Sequence, residues 1–279
     1  VTPVVTTIAE VRAAVAGARR RGQDVGFVPT MGALHEGHAA LVRAARVAGG
    51  FVVVSVFVNP TQFGPAEDFA KYPRTLEADR ALCHEAGADL VFAPTAAEMY
   101  PERSLTAVEV SELDRELCGP LRPGHFRGVA TVVLKLFNIV QPDRAYFGAK
   151  DFQQARIVIQ LVRDLNVPVE VKVEPTVREA DGLAMSSRNR YLSPAERAAA
   201  PAINRALRRV RDDAERDVAM LEARLRAELE AIPGARVDYA RIVDAETLQP
   251  IARVERPAVA AVAVYLGTTR LIDNVVIDT

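Results

Sequence analysis

Lysine is scarce in this 279-residue chain, occurring only at Lys71, Lys135, Lys150 and Lys172, so arginine carries most of the positive charge. Basic and acidic side chains number 35 and 36, a formal net charge of −1, and no one-signed field favours nucleic acid or an anionic membrane. The two cysteines, Cys83 and Cys118, lack CxxC spacing and a secretory leader, so a reduced, cytoplasmic setting is expected. Apolar runs such as FVVVSVFV (51–58) are strand-length and too short to cross a bilayer. No targeting segment, low-complexity tract or fixed-period repeat stands out, and Val1 in place of methionine reads as a trimmed start.

Missing motifs narrow the chemistry further. Without GxxxxGK[ST], a nucleotide is not held in a P-loop, and without GxGxxG after the first strand the usual sign of NAD or FAD is gone. There is no GxSxG elbow, which argues against a covalent enzyme intermediate. An enzyme that positions phosphate and lets its substrate attack fits what remains, as in phosphoryl or nucleotidyl transfer.

What is present alternates between two periods. TIAEVRAAVAGARRRGQ (7–23) puts Ile8, Val11, Val15 and Ala18 on one helical face, and further helices are predicted over 38–49, 75–87, 129–142 and 151–166. Between them lie short β-branched runs: VGFVP, FVVVSVF, ADLVFAP, RAYFG and VEVKVEPTV. Apolar strands separated by helices predict an α/β fold, a doubly wound Rossmann-like parallel sheet with ligands outside the strands' carboxyl ends. Past Val177 the order becomes α+β. SPAERAAAPAINRALRRVRDD opens with Ser193 as N-cap and Pro194 at the first helical position; a second helix, DVAMLEARLRAELEAI, and hairpin-like strands follow. A boundary near Thr176 would divide the chain into domains 1–176 and 177–279.

Four stretches carry polar residues at strand ends or at that boundary. PTMGALHEGH brings His35 and His38, half of the four histidines, to a predicted helix start, with Gly32 and Gly37 allowing close backbone approach. A helix N-terminus favours anions and neutral imidazole, so the rings could donate to a phosphate; a structural pair or a zinc site remains open on the residues alone. FVNPTQF offers the uncharged amides of Asn59 and Gln62, which could bind substrate or merely cap a turn. FGAKDFQQ places Lys150, Asp151 and Gln154 at another strand end, where the lysine is either a phosphate cation or a solvated surface group. ADGLAMSSRNRYLS gathers Ser186, Ser187 and Arg188, donors for a triphosphate or constituents of an ordinary linker.

PTMGALHEGH resembles the histidine motif of the class I aminoacyl-tRNA synthetase and nucleotidyltransferase superfamily, and AMSSRN resembles its partner loop. Together with VFVNPTQF, YPRT, RPGHFRGV, FGAKDFQQ and LGTTRLIDN, the likeness is to the pantothenate synthetase (pantoate–β-alanine ligase) family and runs from Pro29 to Asn274. The resemblance implies ATP-dependent condensation of (R)-pantoate with β-alanine, giving pantothenate, AMP and diphosphate through pantoyl adenylate. It implies an ATP site formed by Met31, Gly32, Ala33, Leu34, His35, Glu36, Gly37 and His38, by Gly148, Ala149, Lys150 and Asp151, and by Val177, Met185, Ser186, Ser187 and Arg188. His38 would be the proton donor, with His35, Lys150, Ser186, Ser187 and Arg188 also serving the chemistry. Gln62 and Gln154 would hold pantoate, Gln62 also lying near β-alanine, and Asn59 would orient the substrates. Magnesium would accompany ATP on phosphate oxygens and water, without dedicated protein ligands beyond an outer-sphere part for Asp79. The resemblance also implies a cytoplasmic homodimer, for which VVVSVF or the helix after Ala66 would lie near the interface although no heptad pattern identifies one, and the two-domain reading predicts a smaller domain closing as a lid. Two departures stand out: Ala149 replaces the family's more usual Glu, and Cys118 takes a position read as structural. A nucleotidyltransferase acting on a phosphorylated substrate and a nucleotide-binding regulatory module are the competing readings. The neutral amides argue against the first and the intact Lys150 with its paired histidines against the second.

Overall fold

The computed structural model describes residues 1–64, 69–102 and 104–278. They fall into two compact units, Val1–Val110 with Arg122–Ala149 and Ile157–Pro175, and Ser111–Leu121 with Lys150–Arg156 and Thr176–Thr279. The second unit thus combines the stretch from Thr176 onward with two earlier segments. Side-chain bonds hold them there: Asn274 Nδ2 donates to the Lys150 carbonyl at 2.9 Å, and the Arg156 guanidinium donates to the Glu246 carbonyl at 3.0 Å.

The first unit holds strands β1 (Val4–Val5), β2 (Val25–Thr30), β3 (Phe51–Val56), β4 (Leu90–Phe92), β5 (Arg144–Gly148) and β6 (Glu170–Glu174). Every pairing is parallel, in the order β1-β4-β3-β2-β5-β6. Successive residues feed opposite faces of this sheet. Phe27, Val53 and Phe92 pack with Val11, Val15, Val129, Val133 and Phe137 on one side, and Val28, Val52, Val54 and Val91 pack with Val42, Ala45 and Cys83 on the other. The helices are α1 (Ile8–Arg20), α2 (Glu36–Val47), α3 (Leu76–Ala86), α4 (Ala96–Met99), α5 (His125–Val140) and α6 (Phe152–Asp164). The doubly wound parallel sheet is the predicted one.

Three expectations need correction. Helix α2 starts at Glu36, not His38, because His35 itself caps it. Helix α5 starts at His125, ahead of the predicted Val129, from a left-handed Gly124 that offers no capping side chain to read. VVVSVF is no interface segment: β3 lies between β4 and β2, and Val52, Val53 and Val54 are fully buried. The proposed start of the other interface segment, Ala66, lies outside the described residues.

In the second unit the run from Pro194 forms two helices, α7 (Pro194–Ala199) and α8 (Pro201–Arg211), since Pro201 ends the first and opens the next. Helix α9 (Val218–Glu230) follows, then an antiparallel meander of β7 (Ala235–Asp244), β8 (Ala258–Leu266) and β9 (Thr269–Ile277). Ile203, Leu207, Leu221, Leu225 and Leu229 pack on Val262 and Val264 of β8, each large side chain contributing about 1.5–3 kcal/mol by leaving water.

Candidate active site

The chain runs from β2 outward through β3 and β4, then returns to lay β5 on the other flank of β2. This reversal makes β2/β5 the topological switch point, where a parallel sheet opens a crevice at its carboxyl edge. Three segments lead off that edge: the loop after Thr30, the turn after Val56, and Gly148 with Ala149. They include every site residue expected in this unit.

The loop is built around its histidines. Nδ1 of His35 accepts the Gly37 N–H at 3.1 Å, and Nδ1 of His38 accepts the His35 N–H at 3.3 Å, a reciprocal capping box made of two imidazoles. A ring nitrogen that accepts carries no proton, so each neutral ring has its proton on Nε2. The ring centroids are 4.2 Å apart. Both rings therefore present Nε2–H donors at the positive end of α2. Glu36, at the first helical position, pairs with Arg43.

The backbone before them is already engaged. The Gly32 N–H donates to Thr30 Oγ1 at 3.2 Å, the Ala33 N–H to Asp79 Oδ2 at 3.1 Å and the Leu34 N–H to Asp79 Oδ1 at 2.8 Å. These three amides are accordingly not available to phosphate. Asp79 braces the loop through both of its carboxylate oxygens.

At the β3 end, Asn59 is 1% exposed and its amide is saturated by protein. Its oxygen accepts from the Thr61 N–H, the Thr61 hydroxyl and the Tyr100 hydroxyl at 3.3, 3.0 and 2.9 Å; its nitrogen donates to Gln62 Oε1 and the Gly128 carbonyl, both at 3.2 Å. Asn59 thus orients Gln62, whose Nε2 points to Met31 Sδ at 2.8 Å. Burial raises the Tyr100 hydroxyl above its ordinary range, keeping it a donor. The Gln62 carbonyl is 2.8 Å from Nδ1 of His125, and Nε2 of that ring is 3.0 Å from Arg122 Nη1. A carbonyl only accepts and a guanidinium only donates, so His125 is the Nδ1–H tautomer. His125, Tyr100 and Gly128 are supports that sequence reasoning did not assign, although RPGHFRGV contains two of them.

The second unit gathers the remaining expected residues. Gln153 is 6% exposed, accepts the Cys118 N–H at 3.0 Å, and donates to the carbonyls of Leu113 and Glu116 at 2.8 and 2.9 Å. Of the two adjacent glutamines it is the one held by protein, and Gln154 is half-buried. Asp151 is exposed, and Lys150 is fixed by its carbonyl to Asn274. The 177–185 segment is a tight turn: the Met185 N–H donates to the Val177 carbonyl at 3.0 Å, and Arg178 bridges Ala184. Arg178 also forms a two-pronged pair with the buried Asp273 at 2.7 and 2.9 Å. Ser186 Oγ accepts the Arg188 N–H at 3.2 Å and caps the 3-10 helix Ser187–Tyr191. The donors of Ser187 and Arg188 thus sit on a built loop, not a linker.

Comparison with known proteins identifies the family. The profile of the family described as Pantoate-beta-alanine ligase matches residues 3–276. A protein of Moorella thermoacetica named pantothenate synthetase is 56% identical over 98% of this chain and 97% of its own length. The crystal structure of pantothenate synthetase from Thermus thermophilus superposes with a TM-score of 0.93 at 51% identity, covering all of both chains. That of pantoate-beta-alanine ligase from Francisella tularensis, complexed with beta-gamma ATP and beta-alanine, does so at 0.83 and 34% identity over 100% and 99% of the two chains. The chain belongs to the pantoate-beta-alanine ligase family and is a ligase of that activity.

Proposed function

We propose that the chain joins pantoate to β-alanine through a pantoyl adenylate, with the roles divided as follows. The pantoate carboxylate attacks the α-phosphorus of ATP and expels diphosphate; the β-alanine amine then attacks the acyl carbon and expels AMP. Adenylation gives the acyl group a leaving group it otherwise lacks. The Nε2–H groups of His35 and His38 donate to phosphate oxygens, strengthening as charge moves onto the leaving group. Lys150 neutralises the same polyanion, and Ser186, Ser187 and Arg188 supply further donors. Gln62 and Gln154 hold pantoate by uncharged amides, with Asn59 fixing Gln62. Met31 to Leu34, Glu36, Gly37, Gly148, Ala149, Asp151, Val177 and Met185 line the nucleotide.

The observation carrying this reading is the pair of imidazoles whose Nδ1 atoms are committed to backbone N–H groups at a helix N-terminus on the switch-point edge. Magnesium accompanies ATP, held by phosphate oxygens and water, and spreads the phosphate charge. Among the described residues no group of three or more His, Cys, Asp or Glu side chains could hold a metal ion, and no helix is long and apolar enough to cross a membrane. A cytoplasmic homodimer completes the proposal.

Pantoate should drive exchange between diphosphate and ATP without β-alanine, and pantothenate should appear only once the amine is added. A His38→Ala variant should fold yet lose about 10²–10³ of the exchange rate, the usual effect of removing one transition-state donor. Exchange at the unmodified rate would refute the role of His38.

A further inference from the structure

The loop before the histidines turns backbone N–H groups onto an anion. Gly32 has φ +81° and Ala33 has φ +51°, two consecutive left-handed residues, and the Ala33 and Leu34 N–H groups converge on one carboxylate. The anion at that point belongs to the protein. Both oxygens of Asp79, 2% exposed, take the Ala33 and Leu34 N–H groups, and the Thr75 hydroxyl donates to Oδ1 at 3.2 Å. A Cβ on Gly32 would stand 3.0 Å from Oδ2 and 3.0 Å from Val56 Cγ1, so the turn closes directly over the carboxylate.

We propose that Asp79 is a positioning residue that acts as an internal anion, holding Ala33 left-handed and thereby setting His35 and His38. The inference rests on the ligase reading above. For alanine the left-handed conformation is unfavourable by about 1–2 kcal/mol, and two charge-assisted hydrogen bonds offset that. With the Ala33 and Leu34 amides occupied by Asp79, nucleotide recognition passes to the imidazole Nε2–H groups. Asp79 lies on α3, 45 residues from Leu34, so the conformation of the histidine loop is dictated from outside the loop.

Asp79→Asn keeps the size but replaces one acceptor with an NH₂ group facing a backbone N–H. Pantoate-dependent diphosphate exchange should fall about 100-fold through kcat with a KM for pantoate little changed, the scale expected from misplacing catalytic groups by about 1 Å. Adding Ala33→Gly to that variant should restore part of the loss, because glycine takes the left-handed conformation unaided. Exchange within threefold of the unmodified enzyme, or equal loss in the single and double variants, overturns the proposal. Should Asp79→Asn fail to fold, amide hydrogen exchange in the unmodified protein decides: slow Ala33 and Leu34 amides support the brace, and fast ones overturn it. An unmodified enzyme without pantoate-dependent exchange would sink the ligase reading, while hydrogen exchange would still judge Asp79.

Discussion

Gly128 lies in helix α5, where alanine would ordinarily add about 1 kcal/mol of helix propensity. Here the added methyl would meet backbone: its Cβ would stand 2.4 Å from the Thr61 carbonyl oxygen and 2.7 Å from Gln62 Cα. Reaching an ordinary contact of about 3.5 Å requires a displacement of about 1 Å, and no side-chain rotation can provide it. Overpacking of this kind costs about 1–3 kcal/mol, which outweighs the propensity gain. The displacement would also strain the Asn59 Nδ2 bond to the Gly128 carbonyl and the His125 bond to the Gln62 carbonyl. Gly128→Ala should therefore give no net stabilisation and should lower stability by up to about 2 kcal/mol. It should lower kcat/KM for pantoate by about 10²-fold, in keeping with a misplacement of about 1 Å. Urea unfolding and steady-state kinetics with pantoate varied measure both. A variant more stable than the parent, with an unchanged pantoate kcat/KM, would refute the claim that α5 holds Gln62.

Two further effects follow from buried groups. Burial, with Asp79 adding repulsion, pushes the Cys83 thiol up to about 12, so the folded state favours the protonated thiol. The resulting stability is intact below the unfolded thiol value of about 8.5 and is lost as pH rises from there toward about 12. Cys83→Ala should flatten the fall of unfolding free energy above that pH; identical slopes would count against the burial. In the second unit, Arg178→Met would strand the Asp273 carboxylate, which is 4% exposed, and should destabilise the protein by about 3–5 kcal/mol in denaturant titration. A loss under about 1 kcal/mol would show that the pair is not the turn's anchor.

The parallel sheet was readable because β2, β3 and β4 are short and largely apolar on both faces, and the helices between the strands repeat at their own period. Helix starts were harder. His35 is an unusual cap, and its role shows only once its Nδ1 is seen to accept a backbone N–H. Polar residues at strand ends marked the site, since topology sends those ends to one edge. Their roles were less evident. Asn59 and Gln62 look alike in sequence, as do Gln153 and Gln154, yet one of each pair is saturated by protein; partners such as Tyr100 and Leu113, some 40 residues away, decide which. Asp79 was equally out of reach, because its meaning comes from two backbone amides in a distant loop.

The second unit draws residues 111–121 and 150–156 from the midst of the first, so the polypeptide passes between the two repeatedly. During synthesis those segments must wait for a carboxyl-terminal meander that has not yet left the ribosome. A fragment cut at residue 176 would lose the Asn274 amide and the Glu246 carbonyl, and with them the anchorage of Lys150 and Arg156. Settling of the 150–156 segment is thereby tied to completion of the last strand.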